Sequence, residues 1–186
     1  WPENVQPANY IDEAVFARLR QLQIPPSPHA DDAAFLRRVR LDLTALPPSE
    51  EELKAFLEDA APDKRAKFID RLLVSDEFTD LWTMKWAEIL QIRANNQNNA
   101  DNGRPRKAAF RYHQWLRAQI AANRPFNDIV GDLIRGEGSN LENPTANYYT
   151  TAFGQPRKPM ERAEDAAQLF LGTRIQCAQC HNHPFD

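Results

Sequence analysis

Apolar residues recur at helical spacing along almost the whole chain, whereas alternating, strand-like runs are nearly absent. The clearest case lies between residues 76 and 94, where large apolar residues recur at intervals of three and four: Phe78, Leu81, Trp82, Trp86, Ile89 and Leu90. This spacing places the side chains on one face of an α-helix, where they can be buried together. We therefore predict an all-α fold, an irregular multi-helix domain with long loops.

Proline, glycine and capping residues divide the chain into separate helices. Ser49 followed by Glu52 is the pattern of a capping box, and Gly172 follows the last helical segment as a terminator. We predict helices over about residues 12–22, 31–43, 76–94, 110–122 and 161–171, and others that begin at Ser49, near Pro62 and at Asn127. The residues expected to face the core include Val15, Phe16, Leu19, Leu22, Leu53, Phe56, Leu57, Phe68, Ile69, Leu72 and Leu73.

Two segments lack a helical pattern. Residues 95–103 are rich in asparagine and could separate two subdomains, although 186 residues fit a single domain. Residues 136–159 are polar and patternless, and a loop of this length often lines a binding site.

The charge balance argues against some classes of function. A net charge of -3 does not favour nucleic-acid or anionic-membrane binding as the main task, because both need an excess of positive charge. No apolar stretch is long enough to span a bilayer. The exception is a basic segment without acidic residues, which contains Arg104, Arg106, Lys107, Arg111, Arg117 and Arg124. A solvated helix face explains it most simply, and a docking patch for an acidic partner or for haem propionates is the alternative.

Both cysteines and two of the four histidines fall within seven residues, Cys177-Ala178-Gln179-Cys180-His181-Asn182-His183. Cys-x-x-Cys-His is the attachment sequence of haem c. Residues at i, i+3 and i+4 share one face of a helical turn, so that two thiols and an imidazole can meet one porphyrin. We predict that Cys177 and Cys180 bond the vinyl groups of the haem and that His181 ligates its iron.

Three other interpretations of the motif are open. A disulfide between Cys177 and Cys180 would close a very small loop and stabilise the fold little. A thioredoxin-like redox pair normally follows a strand in a βαβ unit, which the sequence does not contain. A zinc site could use both cysteines with His181 and His183, although their crowded spacing suits a tetrahedral site poorly. Only haem attachment explains a histidine directly after the second cysteine.

The second axial ligand of the iron is less well defined. His183 lies only two residues after His181, a span of about 7 Å at most, and cannot reach the opposite face of the ring. His113 and Met160 are the candidates for this position, with an ordinary surface or packing role as the simpler explanation for each.

The chain resembles the planctomycete cytochrome c-like domain family of unknown function. The similarity lies in four segments: 35–48 (FLRRVRLDLTALPP), 68–75 (FIDRLLVS), 142–149 (ENPTANYY) and 168–185 (QLFLGTRIQCAQCHNHPF). The resemblance implies haem c and a periplasmic or extracellular location in bacteria, and hence a removable leader, but it implies no substrate. Position 113 is more often arginine in that family, which weakens His113 as a shared ligand.

Members of that family usually continue past the His-Pro-Phe segment into a second large domain. We therefore expect residues 1–186 to form a single cytochrome c-like helical domain at the N-terminal part of a longer protein. Few residues follow the motif, so we also expect the visible chain to leave part of its haem uncovered.

The function expected from these features is electron transfer by a monohaem domain. Its partner would be a redox protein, the C-terminal continuation of the same polypeptide or a second copy of the chain. The alternatives are a haem enzyme module with an open distal position, or an interaction or scaffold domain with a structural zinc or an empty motif. The sequence does not decide whether the protein is an enzyme.

Overall fold

The computed structural model describes residues 5–93, 103–150 and 158–180. Within these residues the chain forms eight α-helices, two 3₁₀ helices and no β-strand, so the predicted all-α fold is confirmed. The α-helices are α1 (Tyr10–Gln21), α2 (Asp32–Thr44), α3 (Glu50–Glu58), α4 (Lys64–Leu73), α5 (Asp76–Ile89), α6 (Arg104–Ala121), α7 (Phe126–Ile134) and α8 (Pro159–Phe170). The 3₁₀ helices are Pro144–Tyr149 and Gln176–Gln179.

Helices α2, α3 and α4 enclose the N-terminal core. Its centre is the ring of Phe56, which stacks on Phe35 at 5.9 Å and meets Phe68 edge-on at 5.3 Å between ring centroids. Leu36 and Leu72 complete the core and are almost fully buried. Segments 35–48 and 68–75 therefore have a structural role, because both supply side chains to this apolar cluster.

Charged residues close the rim of the N-terminal core. The carboxylate of Asp32, at the start of α2, forms ion pairs with Lys64 and Arg65 at the start of α4, each with an N···O distance of 2.6 Å. Hydrogen bonds from Lys64 and Arg65 lower the pKa of the Asp32 carboxyl. Ser49 caps α3 by accepting a hydrogen bond from the Glu52 amide at 3.2 Å, as predicted. The Glu52 carboxylate pairs with basic residues of α2 and α4, so it contributes to packing between helices.

Helices α5, α6, α7 and the 3₁₀ helix Pro144–Tyr149 enclose the C-terminal core. Seven buried residues form it: Ala87, Leu90, Tyr112, Leu116, Ile129, Leu133 and Tyr148. Helices α5 and α6 pack closely against each other, although they flank the segment predicted as a boundary between subdomains. Residues 95–102 of that segment lie outside the described residues.

Part of the segment predicted to be patternless is ordered by its own polar side chains. The side chain of Asn143 caps the 3₁₀ helix by accepting from the Thr145 amide at 3.2 Å. The buried Asn147 amide donates to the carbonyl oxygens of Asn140, at 2.8 Å, and Pro144, at 2.9 Å. These bonds satisfy backbone groups that a buried loop would otherwise leave unpaired, so the asparagines of segment 142–149 have a structural role. The prediction of a patternless loop over 136–159 was therefore wrong at Pro144–Tyr149, and residues 151–157 of that range lie outside the described residues.

Several predicted details also differ. Helix α1 has no fully buried residue: Val15 and Leu22 are about half exposed, and Phe16 and Leu19 are only partly buried. Leu57 and Leu73 are likewise exposed at the edges of their helices. Asn127 does not cap α7, which begins one residue earlier after Pro125. The helix predicted from residue 110 begins at Arg104, after Gly103 in the left-handed conformation.

The close approach of Gly136 to the 3₁₀ helix gives a stability prediction. A Cβ atom at Gly136 would lie 2.6 Å from the backbone carbonyl carbon of Thr145, so Gly136→Ala must displace one backbone from the other. We expect Gly136→Ala to lower the free energy of unfolding by about 1–3 kcal/mol in urea denaturation.

The matched control is Gly131→Ala, inside α7. There the new Cβ meets only the guanidinium of Arg135, an exposed and movable side chain. Replacing a helical glycine by alanine should stabilise the protein by up to about 1 kcal/mol. Equal effects of the two substitutions would contradict the packing described for Gly136.

Candidate functional site

Helix α8 leads the chain towards the Cys-x-x-Cys-His motif. The helix ends at Phe170, and Gly172 then adopts a φ of +66°, the left-handed conformation that favours glycine after a helix. This reversal lets the Thr173 amide donate to the carbonyl oxygen of Ala167 at 3.1 Å. The predicted terminator is confirmed, and the motif follows only a few residues later.

Phe170 attaches the end of α8 to the C-terminal core. Its ring meets Phe126 of α7 at 6.3 Å and Tyr148 of the 3₁₀ helix at 5.8 Å between centroids. Local sequence patterns indicate only an apolar residue at the end of a helix and do not predict this role. Phe170 thereby determines where the segment that carries the cysteines leaves the folded body.

An apolar cavity of about 30 Å³ lies beneath Phe170, between α5, α6 and α7. Its lining is formed by Trp86, Leu90, Leu116, Ile120, Phe126, Ile129, Leu133 and Phe170. Sites for small ligands and cofactors usually measure about 300–1,000 Å³, so this cavity is far too small for a porphyrin. A haem attached to the motif would therefore lie outside this core.

Cys177 lies on the 3₁₀ helix Gln176–Gln179, and Cys180 is the residue that follows it. The Ala178 amide donates to the Ile175 carbonyl at 3.0 Å, and the Cys180 amide donates to the Cys177 carbonyl at 3.2 Å. Because residues at i and i+3 eclipse each other in a 3₁₀ helix, the two side chains are brought to the same side. Both cysteines are exposed free thiols.

This arrangement fits covalent attachment of a large planar group. Two thiols one turn apart, on one side of the chain and open to solvent, are accessible to a group too large to enter the core. Residues 181–186, which include the predicted iron ligand His181 and the neighbouring His183, lie outside the described residues. Among the described residues, no cluster of three or more His, Cys, Asp or Glu side chains is placed to hold a metal ion.

In the described residues, the two candidates for the second axial ligand make no contact with the cysteines that the structure records. His113 lies half-buried on α6, and Met160 is exposed in the first turn of α8, at the end of that helix away from Phe170. Ten residues of helix separate Met160 from Phe170, a rise of about 15 Å. In the described part of the chain, no hydrogen bond, ion pair or ring contact connects His113 or Met160 with Cys177 or Cys180.

The four segments that carry the family resemblance therefore differ in role. Segments 35–48 and 68–75 build the N-terminal core, and segment 142–149 forms the 3₁₀ helix that supports Phe170. Only segment 168–185 contains groups with the chemistry of a cofactor site. No helix among the described residues has the length and apolar character required to cross a membrane.

Comparison with known families identifies one match. The family model PSCyt2, described as "Protein of unknown function (DUF1549)", matches residues 10–186 and so covers all but the first nine residues of the chain. Searches of curated proteins and of solved structures gave no match.

The contacts of Phe170 predict how strongly the segment with the motif is attached. Phe170→Ala removes a half-buried ring from between two aromatic side chains, and we expect a loss of about 2 kcal/mol in the free energy of unfolding. Leu171→Ala is the matched control, because Leu171 is 77% exposed and its loss should change stability by less than about 0.5 kcal/mol. Chemical denaturation of both variants provides the test, and equal losses would show that Phe170 is no anchor.

Proposed function

Because the chain belongs to the PSCyt2 family and presents two exposed thiols one turn apart, we propose that it is a monohaem c-type cytochrome domain for electron transfer. The main support for the proposal is the turn that presents the exposed thiols of Cys177 and Cys180. Its thiols lie at the attachment spacing and are open to a group that the interior has no room to receive.

Each residue of the motif has a defined role in this proposal. Cys177 and Cys180 would hold the haem through carbon–sulfur bonds to its two vinyl groups, with each thiol proton passing to the neighbouring vinyl carbon. His181 follows Cys180 directly and would supply the imidazole ligand of the iron. When bound, haem c supplies a one-electron redox couple, which the side chains themselves lack.

The packing of two large side chains, Tyr148 and Tyr149 on the 3₁₀ helix Pro144–Tyr149, favours a haem that remains partly exposed. Tyr148 is buried in the C-terminal core, and the Tyr149 hydroxyl donates to the Ile134 carbonyl, so both rings are already used in packing. An exposed ring edge suits electron transfer, because a partner can approach it closely. We propose a redox protein, the continuation of the polypeptide or a second copy of the chain as that partner.

The proposal also implies a location. Haem c is attached outside the cytoplasm in bacteria, and the family resemblance points to the same compartment. We therefore propose that the domain acts in the periplasm or outside the cell.

Covalent attachment gives the direct test of the two cysteine roles. The chain produced together with a cytochrome c maturation system should keep its haem through denaturing electrophoresis and stain for haem peroxidase activity. The double variant Cys177→Ala/Cys180→Ala should lose the stain completely, because both thioether bonds are gone.

Ala178→Ser is the matched control, since Ala178 lies between the cysteines, is exposed and has no part in attachment. It should stain like the unchanged chain. Haem staining that persists in the double variant would refute the thioether assignment. A chain without haem that binds one zinc ion in metal analysis would instead favour a structural metal site.

A further inference from the structure

A groove with positively charged walls lies on the surface between α6 and the segment before the 3₁₀ helix Pro144–Tyr149. We call it the cationic groove, and its lining is Arg106, Lys107, Phe110, Arg111 and Leu141. It is open to solvent and has a volume of about 690 Å³. None of the roles described above uses it.

Helical geometry builds one wall of the groove. Arg106 and Phe110 are four residues apart on α6, as are Lys107 and Arg111, so all four side chains share one face. Arg111 donates a hydrogen bond to the Leu141 carbonyl and so holds the opposite wall in place. Because that acceptor is neutral, the positive charge of Arg111 is retained.

The structure divides the basic segment of the sequence into two parts. Towards the end of α6, Arg117 pairs with Asp76 at 2.8 Å and with Asp80 at 2.7 Å. Just after it, Arg124 pairs with Asp132 at 2.6 Å. Arg106 and Lys107 are exposed and form no ion pair with any residue in the described ranges. The charges of the second part are therefore neutralised by ion pairs within the fold, whereas the first part agrees with a solvated helix face and leaves its charges available to a partner.

The exposed charges of Arg106 and Lys107 do not stabilise α6. The N-terminus of a helix carries partial positive charge, so basic residues in the first turn are unfavourable there. Helices α1, α3 and α5 follow the usual rule and carry acidic residues in their first turns, whereas α6 carries none. In the part of the chain that the structure describes, no ion pair offsets the cost of these two charges.

Phe110 adds an apolar element to this charged surface. Its side chain is 64% exposed, between Arg106 and Arg111 on the groove wall. Aromatic side chains and arginine are both enriched in protein–protein interfaces, and this surface presents them side by side. A bound segment could gain affinity from both charge and apolar contact.

We propose that the cationic groove binds an acidic segment of a partner protein that carries an apolar side chain. Carboxylates of the segment pair with Arg106, Lys107 and Arg111, and its apolar side chain covers Phe110 and Leu141. A nucleic acid fits less well, because the chain as a whole has a net charge of -3 and would repel a long polyanion. This inference does not depend on the haem.

The test uses the complete 186-residue chain and a synthetic peptide of repeated Glu-Asp-Leu triplets, with affinity measured by fluorescence anisotropy. We expect binding that weakens as salt is added and that is lost when Gln-Asn-Leu replaces the triplet. Arg106→Glu/Lys107→Glu should reduce the affinity about tenfold or more, since two attractions become repulsions. Phe110→Ala should reduce it while leaving the salt dependence unchanged.

The matched control is Arg37→Glu/Arg38→Glu, which makes the same change in net charge at exposed positions of α2. It should bind like the unchanged chain. The melting temperature shows whether a loss of affinity comes from misfolding. The acidic residues in Arg106→Glu/Lys107→Glu should stabilise the N-terminus of α6, so the melting temperature of this variant should be unchanged or higher. Equal loss of affinity in both double variants would overturn the proposal. So would a lower melting temperature of the α6 variant, or tighter binding of oligothymidylate or of phosphatidylserine vesicles than of the acidic peptide.

Discussion

Helix α5 packs against α2 and α4 of the N-terminal core and against α6 of the C-terminal core, and both cores depend on these contacts. Such a helix must bury residues on more than one side, and its small buried residues Thr79, Thr83 and Ala87 allow neighbours to approach closely. The buried hydroxyls are satisfied within the helix itself, since Thr83 donates to the Thr79 carbonyl at 2.6 Å and Thr79 donates to the Ser75 carbonyl at 3.1 Å.

The candidate site depends on this arrangement indirectly. Helix α6 is fixed by α5, and together with α7 and the 3₁₀ helix Pro144–Tyr149 it forms the surface against which Phe170 packs. Phe170 then determines where the cysteine segment leaves the body. The cavity beneath Phe170 is too small for a porphyrin, whereas the two thiols are exposed and open to a large group.

Local patterns in the sequence were enough to predict the helical class, the cap at Ser49 and the terminator at Gly172. Contacts between distant segments could not be predicted in this way. Arg117 of the basic segment is neutralised by Asp76 and Asp80, which lie about forty residues earlier in the chain. The 3₁₀ helix Pro144–Tyr149 was missed because asparagine side chains, and not an apolar period, hold it together. Of the candidate site, the sequence predicted the paired cysteines, but not the aromatic anchor that precedes them.

We propose that Cys177 and Cys180 hold one haem per chain through two thioether bonds. The decisive measurement is the pyridine haemochrome spectrum of the purified chain, produced with a maturation system and reduced with dithionite. We expect absorption at the shorter wavelength of a haem whose vinyl groups are both saturated, with one haem for each chain. A chain without haem, or a spectrum of haem b that acid acetone removes from the protein, would contradict it.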